Sequence, residues 1–208
     1  MSNYSVSDTE DSSRFRLLLS IPYNDLLSFV MEYIRKKSPV MAIFWASCTF
    51  FMFIAVYIRI SISDVHPFSE IFLHSVLGFV VFPILCVPFH EGLHILPYFL
   101  SGARNIRIGM DLKQYLFYVT AHRHVAAPRE FKMVAAFPYQ LISVAAIFLV
   151  FFLPDLWKWS FSAFLFAHAT MCAGDFALLN FYYLNRDKQI YTWDDADKKE
   201  AYFYEKLA

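Results

Sequence analysis

Residues 88–97 read Pro-Phe-His-Glu-Gly-Leu-His-Ile-Leu-Pro. His90 and His94 are four residues apart. On a helix that spacing puts two side chains on one face, one turn apart, so both imidazoles can converge on a single zinc ion. Glu91, beside the first histidine, then reaches the metal-bound water as a general base. Zinc lowers the pKa of that water from 15.7 to about 7, which makes hydroxide available at neutral pH. A catalytic zinc site keeps three protein ligands and one open position, so a third ligand has to come from elsewhere in the chain. The candidates by residue type are His74, His122, His124, His168, Asp175 and Asp111.

The elements that must position these groups are membrane helices. Of the 208 residues, 58% are hydrophobic and 17% charged, with 24 Phe and 13 Tyr, against about 45–50% apolar and 25% charged in a soluble domain. Net charge is zero, which gives no electrostatic footprint for a nucleic-acid partner. A spanning helix needs about 20 mostly apolar residues. Four stretches qualify: Val40–Ile60, Glu70–Leu100, Phe131–Leu153 and Trp157–Leu184. The last two are joined by Pro154-Asp155-Leu156, which predicts a tight helical hairpin. Cys48, Cys86 and Cys172 are dispersed in apolar runs and read as free thiols.

Lysines and arginines cluster in residues 1–39, 101–132 and the tail after 184. The positive-inside rule therefore places both termini and the 101–130 loop in the cytoplasm. Residues 1–13 are polar and acidic, predict disorder, and lack the pattern of a cleaved signal peptide. Residues 23–37 carry apolar residues at helical spacing with a basic end, as an interfacial or a plain soluble helix would. Residues 106–113 alternate apolar and polar side chains, and 115–120 form a second strand-like run. The expected architecture is an all-α polytopic membrane protein. It has about four transmembrane helices and a small cytoplasmic β-hairpin between the second and third. Its parts are a segment at 1–39, a membrane region at 40–184 and a tail at 185–208.

Depth separates the candidate ligands. His90 lies about 20 residues into the second span, or about 30 Å at 1.5 Å per residue. Asp175 lies about 27 Å into the fourth, whereas His168 lies only about 17 Å in. His74 is sixteen residues before His90 and on roughly the opposite face. Asp175 also needs a partner, because a lone carboxylate in an apolar span is costly and no Lys or Arg falls at its depth. His168 is on the same face as Asp175 and reads as a residue behind the ligands, a proton relay or an interhelical hydrogen bond. Asn180 is a weaker candidate for orienting a ligand or a substrate carbonyl. His122 and His124 sit in the basic loop, and Pro138 should kink the third helix.

The combination of His-Glu-Gly-Leu-His at 90–94, Ala-Ala-Pro at 126–128, Ala-Phe-Pro at 136–138 and Ala-Gly-Asp at 173–175 resembles the bacterial DUF3267 family of zincin peptidases. That family is in turn similar to the site-2-protease-like membrane zinc metalloproteases. The resemblance covers about residues 70–195. It implies Zn2+ as cofactor, His90, His94 and Asp175 as its ligands, and Glu91 as the base. It further implies a membrane-protein or peptide substrate at the lipid bilayer of a bacterial inner (plasma) membrane. Asp175 stands in Gly-Asp-Phe rather than the Leu-Asp-Gly of site-2 proteases, and Ala-Phe-Pro-Tyr replaces the Asn-x-x-Pro-Gly of some relatives. The competing reading is a zinc-binding membrane protein that transports or senses metal, or a scaffold.

Overall fold

The structure, a computed structural model, describes residues 4–111 and 116–207, with the side chains of 111 and 116 outside that description. Asp111 is thereby outside the set of ligands that can be compared. Ser38 opens the first long helix, α3 (Pro39–Ser61), by accepting a hydrogen bond from the Met41 amide at 3.1 Å, with Pro39 in the first turn where its missing N–H costs nothing. At 23 residues it is long and apolar enough to cross a membrane. The helix before it, α2 (Leu26–Arg35), places Phe29 and Tyr33 against Phe181.

The second apolar stretch, Phe68–Leu100, is 33 residues long and is built in pieces. They are α4 (Phe68–Val76), a π-helical turn at Leu77–Val81, α5 (Phe82–Leu93) and α6 (Ile95–Leu100). Its prolines explain the breaks. Pro83 cannot donate to the Phe79 carbonyl, and the turn before it widens so that the Phe82 amide bonds Leu77. Pro97 cannot donate to Leu93, and α5 ends there. Helix α7 (Pro128–Phe152) begins with Pro128 and with Glu130 accepting from the Ala127 amide at 2.8 Å. A tight turn leads to α8 (Asp155–Met171), which continues after a 45° bend at Cys172 as α9 (Ala173–Leu184). Three helical stretches thus qualify singly as spans, and the expected four is reached only if the bent α8–α9 pair counts as one.

The all-α expectation needs correction. Besides the predicted hairpin, β2 (Ile106–Asp111) with β3 (Leu116–Ala121), a three-stranded antiparallel sheet joins the two ends of the chain. It consists of β1 (Phe15–Pro22), β4 (Ile190–Asp195) and β5 (Glu200–Lys206), in the order β1-β5-β4. The disorder expected for 1–13 is corrected as well. Residues 1–3 lie outside the description, but Val6–Thr9 form a short helix, α1, closed by a Ser5–Asp8 capping box. The Thr9 hydroxyl accepts from Trp193 Nε1 at 3.0 Å, and aromatic packing between Tyr4, Phe15 and Tyr191 further holds the segment to the sheet. Beneath the sheet, Ile21, Ile190 and Phe203 pack on Phe131, Phe181 and Tyr182 from α7 and α9.

Large apolar side chains on α3, α5 and α7 point outward, among them Tyr57, Leu85, Phe151 and Phe152. That is what a lipid-facing helix surface requires. A close helix crossing occurs at Gly78, where an added Cβ would strike the Ser160 carbonyl oxygen and the Ala163 methyl. Gly78→Val therefore has to push the crossing helices apart, at a cost of about 1–3 kcal/mol by overpacking. It is expected to lower the melting temperature in detergent, whereas Phe79→Val, at a more exposed neighbour, is not. Equal melting of Gly78→Val and wild type would show that the helices do not cross this closely.

Candidate metal centre

His90 and Glu91 occupy the last turn of α5, and His94 caps it. Asp175 is in the first turn of α9, where the positive end of the helix dipole favours a carboxylate. The fold brings these elements together. His90 Nε2 lies 3.1 Å from Asp175 Oδ2, and His94 Nε2 lies 3.7 Å from Asp175 Oδ1. Donor atoms of all three residues fall within 4.8 Å of one another. Four ligands at the 2.0–2.1 Å of zinc–nitrogen bonds sit about 3.3 Å apart at a tetrahedral metal, and the two histidine–carboxylate spacings fall on either side of that edge.

The outer nitrogens explain why the inner ones face Asp175. His94 Nδ1 donates to the Val134 carbonyl at 2.9 Å. That carbonyl is free because the residue four further on is Pro138, which has no N–H to give it. Helix α7 runs through Pro138, and the proline's local effect is to release one backbone acceptor inside the protein. A neutral His94 that donates from Nδ1 presents a lone pair at Nε2. His90 Nδ1 lies 3.2 Å from His168 Nε2. If it donates there, His90 also turns an Nε2 lone pair toward the carboxylate. Three acceptors then converge in a largely enclosed site, an arrangement that repels itself unless a cation or proton stands among them.

His168 is fully buried and closer to the site than its depth on α8 suggests. The imidazole of His90 is itself the bridge, with Nδ1 toward His168 and Nε2 toward Asp175. One ring spans the two turns that separate those residues. The Cys172 thiol is 3.7 Å from the same His168 nitrogen, so His90, His168 and Cys172 form a second group with metal-ligand spacing, on the far side of His90. A third such group, His122 with Asp195 and Asp197, is already engaged. Asp195 caps the turn after β4, and Asp197 pairs with Arg107 at 2.5 Å.

The remaining candidates lie elsewhere, and one expectation is corrected. Asn180 does not reach the site. Five residues after Asp175, it points about 140° around α9, and its amide donates to the Tyr33 and Lys36 carbonyls at 2.7 and 3.0 Å, tying down the end of α2. His74 bonds Ser160, and His124 lies against Ser101. The residues that sequence reasoning misses are Val134 and Val119. The backbone N–H of Val119, on β3, is directed at the Glu91 carboxylate. Only the Pro138 spacing carries a signal for either of them.

The family model described as "Putative zincin peptidase" (DUF3267) matches residues 83–191, just over half of the chain. The chain belongs to this family. The DUF3267 match begins seven residues before His90 and ends within β4, so it encloses every residue of the centre but leaves out β1 and β5. No curated protein and no solved structure matches the chain.

Pro138→Ala supplies an N–H that can close on Val134 and compete with His94. Loss of such an outer partner typically costs about 10–100-fold in metal affinity. A chelator competition in detergent is expected to show zinc affinity falling within that range, with melting of the metal-free protein little changed. Unchanged affinity would detach Pro138 from the centre.

Proposed function

We propose that this protein is a membrane zinc metallopeptidase that hydrolyses a peptide bond of a membrane-associated protein near the cytoplasmic face. His90, His94 and Asp175 are the metal ligands in this reading, and Glu91 is the general base. The observation that carries it is the convergence of two imidazole Nε2 atoms on one carboxylate, with the adjacent glutamate in the same cleft. The donor set of two histidines and an aspartate suits zinc. Zinc supplies a Lewis acid there and the means to generate hydroxide near neutral pH.

The chain's own residues do the rest. Glu91 takes a proton from the attacking water and returns it to the leaving amine. His94, fixed by the Val134 carbonyl, and His90, fixed by His168, keep their rings from rotating out of place. Strand β3 borders Glu91 and presents backbone groups to it, so an unwound substrate segment can be held there by strand addition. Space lies on both sides of Glu91 for a chain laid across it. A cavity of about 160 Å³ is bounded by Glu91, His94, Asp175 and the strands. Another of about 240 Å³ is bounded by Val87, His90, Glu91 and Gly174.

One observation favours a second reading. The run of contacts from Cys172 through His168 and His90 to Asp175 offers successive metal ligands, as a metal transporter or sensor would. Glu91 separates the two readings. Glu91→Gln is expected to retain about one zinc per chain, since the residue is not a ligand. Cleavage of a membrane-protein-derived peptide library, read by mass spectrometry, should fall by about 10²–10⁴-fold. Asp175→Ala should lose the zinc. Undiminished cleavage by Glu91→Gln would sink the assigned base, and no Glu91-dependent cleavage at all would favour the transporter or sensor.

A further inference from the structure

The cavity beside Glu91 has a second chemistry that hydrolysis does not use. Its walls away from the metal centre are apolar, formed by Ile21, Leu178, Phe131 and Phe203. Among them stand the carboxylate of Asp194 and the hydroxyls of Tyr23 and Thr120. Asp194 is half-buried where it lines the cavity, and no described lysine or arginine forms an ion pair with it. The hydroxyls of Thr120, on a residue only 3% exposed, and of Tyr23 are the hydrogen-bonding neighbours of that carboxylate. A largely enclosed carboxylate that has hydroxyl partners but no cation still lacks a counter-charge, which is costly. In the wall of a side-chain-sized space it marks a place where a cationic ligand completes the set.

We propose that this cavity binds the side chain of a substrate lysine or arginine, with Asp194 as its counter-charge, so that the enzyme cuts beside a basic residue. This rests on the peptidase reading and on the cytoplasmic placement of the site. At about 160 Å³ the cavity is near the size known to hold a benzene molecule, enough for the methylenes of a basic side chain. The apolar walls take those methylenes, and the carboxylate and hydroxyls take the charged head. Burial pushes the Asp194 carboxyl up to about 6, which still leaves it mostly ionised at neutral pH. Its backbone is pinned: the carbonyl accepts from the Arg123 amide at 2.8 Å, and the residue pairs with Ala201 across the sheet. Such fixed placement is what a specificity site requires. Cytoplasmic ends of membrane helices are rich in Lys and Arg, so a site at that boundary meets such side chains often.

Two measurements test this on the zinc-loaded full chain in detergent. The first is binding of n-pentylammonium, with n-pentanol as the uncharged control, read as a melting shift in wild type and in Asp194→Asn. Protection of wild type by the ammonium but not the alcohol, lost in the variant, is expected. Equal protection of both proteins, or of neither, overturns the proposal. Ala201→Met fills the cavity while keeping the carboxylate in the chain, and it should abolish the protection even if Asp194→Asn cannot be purified. The second measurement is the cleavage profile of the peptide library. Wild type should favour Lys or Arg at one fixed position beside the cut, and Asp194→Asn should lose that preference by about thirty-fold or more, the usual consequence of removing one partner of a buried charge pair. Glu91-dependent cleavage with no basic preference sinks the cavity proposal alone. Asp194-dependent ammonium binding without any cleavage sinks the peptidase reading and leaves the cation site standing.

Discussion

A carboxylate that shares an enclosed pocket with two histidine lone pairs cannot be left to itself. Asp175 sits at a helix start among apolar residues, with His90 Nε2 and His94 Nε2 close to its oxygens. Each of these atoms is an acceptor unless it carries a proton, and burial removes the water that would otherwise separate them. Helical segments α5, α8 and α9 meet there, each histidine is restrained from behind, and the surrounding helices depart from regularity near the site.

Those departures share one origin. Pro83 widens a turn of the second span, Pro97 ends α5 beneath His94, and Pro138 leaves a carbonyl of α7 for His94 Nδ1. A proline is tolerated in a membrane helix only where something else satisfies the freed carbonyl, and at Val134 that something is the His94 imidazole. The bend at Cys172 differs in kind. It swings α9 away from α8 by 45° while leaving His168 above and Asp175 below, and the breadth of one imidazole closes the gap between them.

Much of this is legible in the sequence. The His-Glu-Gly-Leu-His spacing, the long apolar runs and the alternation at 106–113, of which 112 and 113 lie outside the described residues, are local patterns with fixed periods, and the structure places elements of the expected kind at the described part of each. The juxtaposition of Asp175 with the histidine pair follows from counting residues into two spans of the same direction. The addition of β1 to the three-stranded sheet does not follow from anything local. Phe15 pairs with Lys206 across nearly the whole chain, and no periodicity inside either segment names its partner. The tail does carry strand formers, Ile190 to Trp193 and Tyr202 to Tyr204 around a short polar connection, but an amphipathic reading of its charges passes over them. Residue counting sets His168 too shallow because it treats a side chain as a point on its helix axis, whereas an imidazole has two binding edges. Asn180 is misplaced for a related reason: depth along a helix says nothing of the angle around it.

The sheet has one more implication, for the order in which the molecule is made. Its middle strand, β5, follows every membrane segment in the chain, and β5 together with β4 supplies Ala201, Phe203, Thr192 and Asp194 to the cavity beside Glu91. The histidines, the glutamate and the aspartate are synthesised earlier. A ribosome that has just released α9 into the bilayer has therefore produced all the groups around Asp175 but not the enclosure next to them. Only when the final strand slides between β1 and β4 does that cleft acquire its floor. A cleft assembled on this schedule stays unfinished until the last strand of the sheet has been made.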